Sequence, residues 1–116
     1  MIESPLLQNL TGYIGGRWTD SAGGSTFDVY NPATGEVIAK VPSMPEPDIL
    51  DAVDAGKQAL RLTNPYPLET RRKWLEDIRD ALKDNREEIG RILCMEHGKP
   101  WKEGQGEVDY AAGFFD

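Results

Sequence analysis

Three prolines within six positions, Pro42, Pro45 and Pro47, divide this 116-residue chain into two regimes. Each lacks a backbone donor and fixes φ, so strand pairing is not expected to continue through them. Ahead of them, Tyr13-Ile14 and Arg17-Trp18-Thr19 flank Gly15-Gly16. Two glycines tolerate positive φ, which predicts a tight hairpin. A second strand pair follows. Phe27 and Val29 alternate with Asp28, Asn31-Pro32-Ala33-Thr34-Gly35 makes the bend, and a return strand covers 36–41. On that strand Val37, Ala39 and Val41 share one face, with Ile38 and Lys40 on the other.

Beyond the prolines the apolar period becomes helical. Ile49, Val53, Gly56 and Leu60 predict a helix over 48–62, which Asn64-Pro65 and Pro67 end. A second helix starts near Leu68, with Leu75, Ile78 and Leu82 on one face. Asn85 followed by Glu88 has capping-box spacing, so a third helix is expected from Arg86 to about His97. Ile89, Ile92 and Leu93 form its buried face, and Gly98 stands where a left-handed cap is expected. Val108, Ala111, Ala112 and Phe115 predict a fourth helix whose stripe is still running at Phe114-Phe115-Asp116. With no capping signal there, the chain is expected to be a fragment. The segment reads as α+β: hairpins over 12–42, helices over 46–116, and a flexible leader over 1–11.

Length allows one domain, and a globule of this size hides roughly two-thirds of its unfolded surface, so a core is possible. Apolar residues make up 39% and charged residues 28%, a folded composition. A net charge of −7 disfavours phosphate backbones and anionic membranes, so neither nucleic acid nor membrane is an expected partner. No apolar run nears the ~18 residues of a membrane span. No secretory signal is readable in the first ten residues. A single cysteine, Cys94, rules out an internal disulfide and fits a reducing compartment, read as the cytoplasm.

Titratable chemistry is sparse. Cys94 and His97 lie three apart on a predicted helix and could form a thiolate–imidazole pair or half a metal site. The plainer reading is a small packed Cys and a helix-end His favoured by the dipole. The sequence holds no other Cys or His. Gly98-Lys99 is followed by Pro100 where a phosphate loop needs Ser or Thr. Gly104-Gln105-Gly106 begins a dinucleotide fingerprint, but its third glycine position holds Asp109 and no strand precedes it. Arg71-Arg72-Lys73 reads as a solvated helix face, and no carboxylate pair stands out as an acid–base dyad. Residue chemistry assigns neither catalytic nor cofactor-binding residues.

Four motifs in order carry a family resemblance. Tyr13-Ile14-Gly15-Gly16-Arg17-Trp18 resembles the opening strand motif of the aldehyde dehydrogenase superfamily. Phe27-Asp28-Val29-Tyr30-Asn31-Pro32-Ala33-Thr34-Gly35-Glu36-Val37-Ile38-Ala39 resembles its N-terminal hairpin. Glu96-His97-Gly98-Lys99-Pro100 resembles its helix-ending motif, and Glu107-Val108-Asp109-Tyr110-Ala111-Ala112-Gly113-Phe114-Phe115 resembles the next helix. The combination is most similar to the succinate-semialdehyde dehydrogenase group. It departs from the family at Leu62-Thr63-Asn64-Pro65-Tyr66-Pro67-Leu68, a Pro-rich link where members usually carry a Trp.

The resemblance implies part of an α/β Rossmann-like cofactor domain in an enzyme that oxidises aldehydes to acids with NAD or NADP. A cysteine thiolate adds to the carbonyl, a hydride leaves to the nicotinamide, and a glutamate-activated water hydrolyses the thioester. Those residues lie downstream of Asp116 in the family pattern, and Cys94 does not match the nucleophile. The segment is therefore expected to be inactive alone. Some members hold a monovalent cation, Na or K, between carbonyls before the Asn-Pro turn and the acidic residue of the Gly-Lys-Pro motif. Here those positions are Val29, Tyr30 and Glu96. The alternative is a stand-alone, non-catalytic interaction or self-association module with the same fold. Exposed apolar faces would favour self-association under either reading.

Overall fold

Gly15 and Gly16 take φ of 58° and 79°, the left-handed pair a two-residue hairpin turn needs. They join β1 (Gly12–Ile14) to β2 (Arg17–Thr19) in a computed structural model that describes residues 1–63 and 66–116. Tyr13 and Trp18 face each other across this hairpin, with ring centroids 5.0 Å apart in edge-to-face geometry.

The second hairpin pairs β3 (Thr26–Tyr30) with β4 (Val37–Pro42) antiparallel. The register breaks between Val29 and Tyr30: Val29 faces Ala39 but Tyr30 faces Val37. Ile38 is the extra residue of a bulge, and the clean alternation expected on this strand is lost there. Both Ile38 and Ala39 are buried. Pro42 closes β4 opposite Thr26 rather than lying beyond the strand, a position where the missing N–H interrupts no later pairing.

Four helices follow: α1 (Glu46–Thr63), α2 (Leu68–Asp84), α3 (Arg86–His97) and α4 (Trp101–Gly113). The architecture is α+β, as expected. Glu46 and Asp48 place charge in the first turn of α1, where the helix dipole favours it. Asp48 is buried and accepts a 3.0 Å bond from the Ala22 amide, tying the inter-hairpin loop to α1. Ser21 donates to the Ser43 carbonyl at 2.8 Å nearby. The expected breaking residues Asn64-Pro65 lie outside the described residues.

Three local expectations are corrected. Asn85 does not cap α3; its side-chain amide donates back to the Ala81 carbonyl at 2.8 Å. With only one residue between α2 and α3, Asn85 serves the C-terminus of the first helix instead. Glu88 is likewise engaged elsewhere, by Arg91. The fourth stripe also stops sooner than its period suggests: α4 ends at Gly113, and Phe115 sits in the turn after it. Gly98 does cap α3 as expected, at φ 71° with its amide on the Cys94 carbonyl.

The buried centre is small. Ile38, Ala39, Val108 and Ala112 are the buried apolar residues among those described. The 8390 Å² of accessible surface exceeds the roughly 6300 Å² of a free-standing globule of this mass. Its radius of gyration, 16.6 Å, likewise exceeds the roughly 13 Å expected at this length.

Candidate functional site

Close packing of α3 on α4 fixes the end of α3. A β-carbon on Gly104 would stand 2.7 Å from both Cys94 Sγ and the Gly90 carbonyl oxygen. One on Gly90 would stand 3.2 Å from the Gln105 backbone nitrogen. Glycine at these two positions is what lets the backbones approach. Arg86 adds a two-pronged bond to Asp109, at 2.6 and 2.7 Å. The guanidinium holds the Asp109 carboxyl below its usual range.

Cys94 is therefore a half-buried packing residue against α4, while His97 is exposed at the end of α3. Gly104-Gln105-Gly106 lies within α4, with Gly104 spent on the helix contact, so it forms no phosphate cradle.

The C-terminus of α3 meets the bend between β3 and β4. A β-carbon on Gly98 would stand 3.0 Å from Pro32 Cγ. The bend itself is closed locally. Asn31 Oδ1 accepts from the Ala33 amide at 2.9 Å, the Asn31 carbonyl accepts from Gly35, and the Asn31 amide donates to Glu36. Val29 is half-buried at the bulge, and Tyr30 and Glu96 are exposed. Pro32 and Gly98, which meet here, adjoin the elements that carry Val29, Tyr30 and Glu96. Among the described residues no three His, Cys, Asp or Glu cluster as metal ligands. Beside this junction Lys99 pairs with Glu107 and lowers its carboxyl below the ordinary range.

Another concavity lies elsewhere. Leu60, Leu68, Trp74, Leu75 and Ile78 line an apolar groove of about 760 Å³ between the end of α1 and the face of α2. Tyr66 packs edge-to-face on Trp74 at 5.2 Å. The sequence shows the stripes of Leu60, Leu75 and Ile78, and the exposed apolar faces expected from them are what the structure presents.

Comparison with known proteins follows this geometry closely. Residues 18–116 match the model of the aldehyde dehydrogenase family. Malonate-semialdehyde dehydrogenase 1 of Geobacillus kaustophilus is 37% identical over 97% of this chain and 24% of its own length. The NADP-dependent succinate-semialdehyde dehydrogenase of Saccharomyces cerevisiae is 31% identical over 99% of this chain and 23% of its own. An oxidoreductase from Marinobacter aquaeolei, solved by crystallography, superposes with a TM-score of 0.94 and 86% identity. It is matched over 100% of this chain and 24% of its own. The chain spans about a quarter of the length of these relatives.

Proposed function

The chain belongs to the aldehyde dehydrogenase family, and from that premise we propose that it serves as the N-terminal part of an NAD(P)-dependent aldehyde dehydrogenase. The observation that carries this reading is a 0.94 superposition over the whole chain onto an oxidoreductase about four times longer. The reaction is oxidation of an aldehyde to its acid, with a short semialdehyde as the substrate class. Relatives named for malonate and succinate semialdehydes both match, which supports the class rather than succinate semialdehyde in particular. No catalytic or cofactor-binding residue is assigned to this segment, and NAD or NADP would be held by residues outside it. In the whole enzyme this segment would form part of the α/β Rossmann-like cofactor domain.

The physical state of the segment supports a supporting role. It exposes about 2000 Å² more than a self-contained globule would, the scale of one side of a permanent interface. That favours burial against the rest of an enzyme over a stand-alone interaction module. No helix among the described residues is long and apolar enough to cross a membrane, and we place the enzyme in the cytoplasm.

The decisive assay compares the purified chain with the longer protein containing it. Malonate and succinate semialdehydes are supplied with NAD or NADP, and reduced nicotinamide is followed. The longer protein is expected to turn over and the chain alone to give nothing. Sustained turnover by the chain alone, or none by the longer protein with any aldehyde, would overturn the reading.

Val29 and Tyr30 carbonyls with the Glu96 carboxylate are further proposed to hold a monovalent cation at the C-terminus of α3, where carbonyl dipoles point outward. Sodium or potassium should then raise the melting temperature of the longer protein, and Glu96→Gln should weaken that rise.

A further inference from the structure

We infer that residues 2–7 form a strap that closes the bulged edge of β4 onto α3, with Arg91 as its latch. The need for a strap begins in the register of the second hairpin. Because Ile38 is the extra residue of the bulge, its carbonyl falls outside the regular ladder, yet the residue is only 4% exposed. A buried carbonyl requires a donor. The Ile2 amide supplies it at 2.7 Å, so the strap covers a strand edge that would otherwise invite pairing with another chain.

The other end of the device is on α3. Arg91 donates from Nε and Nη2 to both oxygens of Glu88, at 2.9 and 2.6 Å. That fork fixes the guanidinium plane, and Nη2 also donates to the Glu3 carbonyl at 2.6 Å. The Ser4 side chain is the second cause, after Arg91, that holds the Glu88 carboxyl below its ordinary range. Ser4 in turn accepts from the Leu6 amide at 3.1 Å, capping the short 3-10 turn Pro5–Leu7. One residue of the strap is thus bound to β4 and the next to α3. Elsewhere the hairpin meets α3 through Pro32 and Gly98. The strap is a second tie between these elements, and it sets how α3 sits against β4.

Residue-resolved amide hydrogen exchange on the intact protein tests this without any activity assay. The Ile2 amide should be protected, and Arg91→Ala should speed its exchange at least tenfold while Ile92 and Val108 amides are unchanged. Glu88→Gln and Ser4→Ala should act in the same direction with smaller effect, and they decide the matter should Arg91→Ala fail to fold. An unprotected Ile2 amide in the parent overturns the inference. So does unchanged exchange in the variants, or equal acceleration at Ile92 and Val108, which would mean general loosening.

Discussion

The α3–α4 crossing and the outer face of α1 and α2 begin from the same kind of sequence and reach opposite states. Each is an amphipathic helix pair with apolar residues at helical spacing. At the crossing, Gly90 and Gly104 let the backbones touch, and Val108 and Ala112 fall to 2% and 0% exposure. On the outer face Val53, Leu60, Leu75 and Ile78 remain 47%, 69%, 47% and 46% exposed. Periodicity states that a helix needs an apolar partner, but not that the same segment supplies it. Small residues on both sides of a crossing are the further sign that a contact is satisfied within the segment.

Glycine substitutions offer the most forceful test of this contrast. Gly104 and Gly106 lie two positions apart in the same helix, yet a β-carbon at Gly106 meets nothing within 4 Å. At Gly104 it collides with the Gly90 carbonyl oxygen, a backbone atom unable to rotate away. Gly104→Val should cost about 3 kcal/mol or more by overpacking and helix separation. Gly106→Ala should instead gain roughly 0.5–1 kcal/mol of helix propensity. Urea unfolding of the chain reads both, and similar midpoints for the two variants would erase the distinction between crossing and open surface.

The open face predicts a dependence on what surrounds it. Ile78→Ala in the chain alone removes contacts from a half-exposed side chain and should change stability by about 0.5 kcal/mol or less. In the longer protein, with the groove covered, the same truncation should cost about 2 kcal/mol or more. Thermal unfolding of both forms makes the comparison. Equal effects in the two contexts would mean that the groove of Leu60, Trp74 and Ile78 stays open in the complete enzyme as well.

These outcomes bear on what the residues could disclose in advance. Gly15-Gly16, the helical stripes and the Gly98 cap are local features, each governed by backbone preferences within a few positions, and they were legible. The α+β architecture follows from them. The bulge at Ile38 was not, because register depends on where the bend of Asn31 and Gly35 closes against the partner strand. Nor was the diversion of Asn85 and Glu88 from a capping box, since both had competing partners one helix turn away. Gly104-Gln105-Gly106 resembled the start of a phosphate loop, while its first glycine serves helix contact. The spacing of Gly90 and Cys94 against Gly104 and Val108 carried that signal. The proposed Val29, Tyr30 and Glu96 positions came from family resemblance alone, since a backbone carbonyl is the same whatever side chain it carries.

The smallest effect lies at the latch on α3, where electrostatics rather than packing separates a tied region from a loose one. Arg91 is the main cause, with the Ser4 hydroxyl second, of a Glu88 carboxyl lowered to about 2 from an ordinary value of 4.5. A carboxylate depressed in the folded state stabilises it above the unfolded pKa, roughly 4.3. That contribution fades as pH falls from there through about 2. Asp109, lowered by Arg86, loses its own contribution in the same direction, so a global melting curve would blend the two. Carbon-detected titration of the Glu88 carboxyl separates them. Its midpoint should lie near 2 in the parent and return toward the ordinary range in Arg91→Ala, while Asp109 keeps its depression in both. A parent midpoint near 4 would show that the fork does not hold in solution, and the strap would then be untied at its α3 end.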